Sequence, residues 1–103
     1  MIRHVVLFRF RDGLTEDQRV GFHAAASGLG TEIAAVAVCT AGPALRLQAD
    51  SFDYALMLDF VDAEAFAAYK RHPAHLRLIE DHIRPCVAAT VRAQVAVAGA
   101  DGC

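Results

Sequence analysis

Apolar and polar residues alternate along the start of the chain. In Arg3–Arg11, His4, Val6, Phe8 and Phe10 share one face, and Val5, Leu7 and Arg9 share the other. A period of two built from β-branched and aromatic residues predicts a strand, which Asp12-Gly13 ends. The period then lengthens. Thr15-Glu-Asp-Gln18 fits a capping box, in which the first and last residues each satisfy a free N–H of the first helical turn. Glu16 and Asp17 suit the positive end of the helix dipole. Phe22, Ala25, Ala26 and Leu29 recur at helical spacing, and Gly28 and Gly30 bracket the stop. Ile33–Ala41 predicts a weaker, alanine-rich strand closing at Gly42-Pro43, followed by a loop over 44–51. Phe52–Phe60 is a clear further strand. Asp62 caps a second helix that carries Ala65, Phe66 and Tyr69 on one side and breaks at Pro73. Ala74–Ile83 reads as a short helix stopped at Pro85. Cys86–Val97 alternates almost strictly, with Val87, Ala89, Val91, Ala93, Val95 and Val97 on one face and Thr90, Arg92 and Gln94 on the other.

The order is β-α-β-β-α-β with a helical appendix before the last strand. This is the ferredoxin-like α+β pattern, four antiparallel strands with helices on one face. The strands carry apolar residues on both faces, yet the helices cover only one. The uncovered face predicts a homodimer whose two sheets pack against each other.

Bulk properties narrow the function classes. A chain of 103 residues makes one domain, placed at 1–97, with a small, polar tail at 98–103 expected to be mobile. The 55% hydrophobic content is high for a lone small domain and fits apolar surface covered by a second subunit. A net charge of −2 with no basic stripe gives no footprint for nucleic acid. No apolar run reaches the roughly 20 residues of a membrane span. Cys39, Cys86 and Cys103 form no CxxC pair, and the N-terminus does not read as a signal peptide. A cytoplasmic setting is expected.

The stretch Tyr69-Lys-Arg-His-Pro-Ala-His75 concentrates the candidate chemistry. Two histidines alone are too few ligands for a structural zinc site, so no metal is expected there. Tyr69 and His75 are six apart, about 120° short of two full turns on a continuous helix. The break at Pro73 can bring both side chains to one cavity. Histidine suits a general base near neutral pH, and a tyrosine hydroxyl suits an oxyanion donor. The plainer reading is that the pair only packs a helix end against the first strand. His4, polar among Val6, Phe8 and Phe10, is a pocket residue or a hydrogen-bonded core residue. His72, at a helix C-terminus before proline, reads as structural.

The segments HVVLFRF (4–10), Y-x-x-HPAH (69–75), Gly42 closing the second strand and the strand Phe52–Phe60 together resemble the Dabb family, the stress-responsive A/B barrel proteins. The resemblance runs from about Ile2 to Val97 and implies a dimeric α+β barrel. The YKRHPAH stretch also resembles the olivetolic acid cyclase-type polyketide cyclases of that family, cofactor-free catalysts of an aldol closure. Carried over position by position, that resemblance implies a catalytic His75 and Tyr69 and a substrate cavity lined by His4. It places Tyr54 where the cyclases have a further pocket histidine, a departure that alters the pocket's polarity. Phe8 and Phe22, core residues by their pattern, are placed with His4 and Tyr54 as substrate-binding walls of a cavity within each monomer. The expected function is thus a cofactor-independent cyclase acting on a polyketide or acyl thioester. The alternatives are a non-catalytic, stress-associated ligand-binding dimer and a cofactor-free monooxygenase or isomerase. Such monooxygenases often use tryptophan and asparagine, and this chain has neither.

Overall fold

A computed structural model describes residues 1–98. Residues 99–103, the greater part of the expected tail, lie outside the described residues. The chain runs β1 (Ile2–Phe10), α1 (Glu16–Ser27), α2 (Leu29–Glu32), β2 (Val38–Pro43), β3 (Tyr54–Phe60), α3 (Ala63–Arg71), α4 (Pro73–Leu78), a π-helical turn (Ile79–Ile83), α5 (Arg84–Cys86) and β4 (Val87–Ala96). The four strands form one antiparallel sheet in the order β2-β3-β1-β4. The ferredoxin-like α+β fold expected from the pattern is the fold observed.

Local chemistry sets the boundaries. The capping box forms in full: the Gln18 N–H donates to the Thr15 hydroxyl at 3.1 Å, and the Thr15 N–H donates to the Gln18 side chain at 2.9 Å. Asp62 accepts the Ala65 N–H at 2.9 Å and starts α3. Three expectations need correction. The strand expected from Ile33 begins only at Val38, because Ile33 and Val36, 1% and 6% exposed, anchor a turn beneath the helices. The helix expected to stop at Pro85 continues to Cys86. A proline ring crowds the carbonyl four residues back, and the wider π turn just before it makes room. Finally, Val87 does not share a face with Ala89 and Val91. Register shifts between Arg9 and Phe10, so that Ala89 lies opposite Arg9 while Val87 lies opposite Phe10 and turns into the core.

Alternation then sorts the sheet. His4, Val6, Phe8, Tyr54, Leu56, Leu58 and Phe60 meet the helices and are buried. Phe22, Ala26 and Leu29 descend from the helices to the same core. Two aromatic clusters hold it: Phe22 packs edge-on against Phe8 and Tyr54 at 5.3 and 5.0 Å, and Phe60 packs edge-on against Phe66 at 5.5 Å and tilted against Tyr69 at 5.2 Å. The opposite face carries Val5, Leu7, Met57, Val38, Val91 and Val95, and none of the described residues covers it. Arg3 and Asp59 pair across that face through two hydrogen bonds of 2.8 and 3.0 Å.

Candidate functional site

Between the sheet and the α3–α4 corner lies a half-open cavity of about 240 Å³. Its polar wall is His4 from β1, Tyr69 and Lys70 from α3, His75 from α4, and Thr90 and Arg92 from β4. Val6, Phe8, Leu56 and Leu78 supply apolar floor and sides.

The α3–α4 corner is built by the sequence HPAH. His72 ends α3 and begins α4: its backbone is extended, and its Nδ1 accepts the Ala74 N–H at 3.0 Å. Pro73 occupies the first helical position of α4, where a missing N–H costs nothing. His72 is therefore a cap. The turn brings the Tyr69 and His75 rings to 4.3 Å between centroids. The two residues do meet, as the proline break requires.

Hydrogen bonds fix which histidine nitrogens carry protons. His75 Nδ1 lies 3.0 Å from the Lys70 carbonyl oxygen, an acceptor only. Nδ1 therefore donates, and Nε2 holds the lone pair. His4 has the opposite arrangement. Its Nδ1 lies 2.8 Å from the Gln94 amide nitrogen, a donor only, so Nδ1 accepts and Nε2 carries the hydrogen. Neither Nε2 has a partner among the described residues, nor does the Tyr69 hydroxyl. Among the described residues no fully buried side-chain nitrogen or oxygen lacks a partner, so these three atoms keep some open surface, and their residues line the cavity, even though Tyr69 is only 2% exposed.

Burial and neighbouring cations keep both imidazoles neutral. Burial, with Lys70, His75 and Arg92 nearby, pushes His4 down to about 4. Burial and the Lys70 charge hold His75 below the usual histidine value, against the Lys70 carbonyl bond that favours its proton. Burial raises the Tyr69 phenol well above its ordinary range, so it stays a donor. Among the described residues, no three His, Cys, Asp or Glu side chains gather as metal ligands.

Of the residues expected at the site, His4, Phe8, Tyr69 and His75 line this cavity; Tyr54 and Phe22 do not. Tyr54 pairs with Phe8, which does line the cavity, but its hydroxyl meets His23 on α1 instead. Burial pushes its phenol up to about 12, and the hydroxyl shares a 2.6 Å hydrogen bond with His23 Nδ1. Phe22 is fully buried in the core. Lys70, Thr90 and Arg92 were not foreseen as site residues. The signal for Thr90 and Arg92 is the polar face of β4, which is the face under the helices; Lys70, next to Tyr69 on α3, carries no such mark.

Comparison with known proteins places the chain in a family. Residues 2–97 match the profile of the Stress responsive A/B Barrel Domain. A dimeric ferredoxin-like protein of unknown function from Thermobifida fusca YX is 34% identical, with a TM-score of 0.84 over 93% of this chain and 90% of that one. An Arabidopsis thaliana protein superposes with a TM-score of 0.82 at 17% identity, covering 98% of this chain and 99% of that one. A hydroxynitrile lyase from Passiflora edulis gives 0.81 at 20% identity, covering 93% and 92%. Comparison with curated proteins finds no sequence match. Matched over all its strands and helices, the chain belongs to the stress-responsive A/B barrel (Dabb) family.

Proposed function

We propose that this protein is a cofactor-independent catalyst of proton transfer beside a carbonyl, with His75 as general base and Tyr69 as oxyanion donor. The observation that carries the reading is the Lys70 carbonyl, which commits the His75 proton to Nδ1 and leaves the Nε2 lone pair open to the cavity. His75 Nε2 takes a proton from carbon next to a carbonyl. The Tyr69 hydroxyl donates to the oxygen on which charge develops, and the His4 Nε2–H offers a second donor. In an aldol closure the resulting enolate attacks a second carbonyl of the same substrate. The new alkoxide then recovers the proton from His75. An aldol-type cyclisation of a keto-acyl substrate is the fullest form of this proposal. The same base and donor would also suit lyase chemistry, and one structural neighbour is a hydroxynitrile lyase from Passiflora edulis. The protein works as a homodimer through the uncovered sheet face, as the dimeric description of the Thermobifida relative suggests.

The test needs no knowledge of the native substrate. Exchange of the protons next to the ketone of 5-oxohexanoate, followed by NMR in D2O, reports base catalysis directly. His75→Ala should slow the exchange by roughly 10²–10⁴-fold and Tyr69→Phe by roughly 10–10³-fold, with both variants folded. Because the His75 value lies below the ordinary 6.5, the rate should rise with pH beneath that value and level off near neutrality. Exchange that His75→Ala leaves untouched, or that the wild type does not catalyse, would return the cavity to a non-catalytic, ligand-binding role.

A further inference from the structure

Two cations stand at the mouth of this cavity on opposite walls. Lys70 closes the last turn of α3, and Arg92 projects from β4 opposite Val6, on the face turned toward the helices. Neither forms an ion pair among the described residues, as is true of most cations of the chain, but these two are the cations that line the cavity. The titratable groups around the cavity are His4 from β1, Tyr69 and Lys70 from α3, His75 from α4 and Arg92 from β4; no carboxylate lines it. The same two cations act together on one buried point, since both depress His4. Arg92 is exposed and lies on the cavity side of its strand, opposite Val6, so its guanidinium is free to meet an anion entering from solvent.

We propose that Lys70 and Arg92 form a carboxylate-binding pole, and that the cavity takes a small keto acid whose free carboxylate sits at the mouth while its ketone reaches Tyr69 and His75. The proposal rests on the base-and-donor reading for the ketone end and adds the anionic end. Arginine presents two parallel N–H groups to the carboxylate, and lysine a point charge from across the mouth. The cavity, at about 240 Å³, falls below the roughly 300–1,000 Å³ of sites for drug-sized ligands. That size suits a short acid better than a whole carrier-bound thioester. Arg92 thereby becomes a specificity residue for the acid over its neutral derivatives.

The experiment is calorimetric titration of the full chain with 5-oxohexanoate and, separately, with its methyl ester, which keeps the ketone and lacks the charge. The acid should bind roughly tenfold or more tightly than the ester, the scale of a charged hydrogen-bonded contact. Arg92→Gln and Lys70→Gln should each shrink that ratio several-fold, and the double variant should abolish it. Both side chains are exposed, so the variants should keep the wild-type melting temperature. His75→Ala should keep the preference for the acid, because the pole does not use the imidazole. Equal binding of acid and ester, no binding of the acid, or a ratio unchanged in the double variant would overturn the pole. Loss of ketone proton exchange is read separately. An acid preference without exchange dependent on His75 defeats the catalytic reading and leaves the pole, whereas exchange dependent on His75 with no acid preference does the reverse.

Discussion

At the scale of single residues, His4 makes a prediction that separates it from an ordinary core side chain. It is buried and neutral, and its proton affinity falls from the ordinary value near 6.5 to about 4. The unfolded chain therefore binds a proton that the folded chain refuses between those values. Above about pH 6.5 neither state carries the proton, and the residue is indifferent to pH. As pH falls through the window the unfolded state gains, and below about 4 both are protonated and the loss is complete. The full effect is about 3 kcal/mol. His75 moves in the same direction. Urea unfolding of wild type and His4→Phe at pH 7.5 and 4.0 isolates the His4 part: the wild type should lose more stability than the variant by up to that amount. Parallel losses would mean that His4 does not resist protonation. The histidines also show how far local sequence reaches. Polarity in an apolar stripe marked His4, and a proline marked the turn that makes His72 a cap. The tautomers of His4 and His75 depend on Gln94 and on the Lys70 carbonyl, partners set by tertiary contact.

At the scale of elements, two glycines in helices should respond oppositely to the same change. In a helix interior alanine is favoured over glycine by about 1 kcal/mol. At Gly21 in α1 an added Cβ meets His82 Cε1 at 3.6 Å, an ordinary contact. Gly21→Ala should therefore raise stability by up to about 1 kcal/mol. At Gly30 in α2 the new atom would lie 2.9 Å from Cys39 Cβ, with strand β2 behind it. Gly30→Ala should cost about 1–3 kcal/mol, the scale of overpacking. Thermal melts of the two variants check the pair, and a Gly30→Ala protein as stable as wild type would show that α2 slides freely over β2. Periodicity announced β1, α1, β3 and α3 because each has one repeating period and a cap or turn at its end. It misplaced β2, where Ile33 and Val36 serve a turn, and it missed the bulge that turns Val87 inward, because both depend on what packs above them. Analogy of position places Tyr54 in the cavity, but although it pairs with the cavity residue Phe8, its hydroxyl is held by His23 of α1, a tertiary contact the sequence does not show.

At the scale of the whole molecule, the uncovered sheet face decides the assembly. Val91, Val38 and Val95 are about half exposed, at 52%, 50% and 48%, and share that face with Val5, Leu7 and Met57. A continuous apolar patch across a four-stranded sheet is more than a monomer ordinarily shows to water. A two-fold packing of this face on itself buries it with aligned strands, and the valines of one sheet then interdigitate with those of the other. Arg3 and Asp59 lie at its margin as an ion pair already satisfied within one chain, so they can enter the interface without leaving a charge unpaired. Val91→Arg places a cation on the apolar face at its β4 edge strand, opposite Leu7 in register and with no acid beside it. In the free monomer that arginine is half in water and harmless. In the dimer it is desolvated without a partner, a penalty of several kcal/mol per buried ion and twice over by symmetry. Light scattering across a concentration series should therefore find wild type as a dimer and Val91→Arg as a monomer with a lower melting temperature. Ala88→Arg, an exposed position one residue from the core-facing Val87, is the control and should remain dimeric. If Val91→Arg stays dimeric and equally stable, the partner sits elsewhere; if wild type is a monomer at every concentration, the apolar face is simply open to water and the paired-sheet barrel does not form.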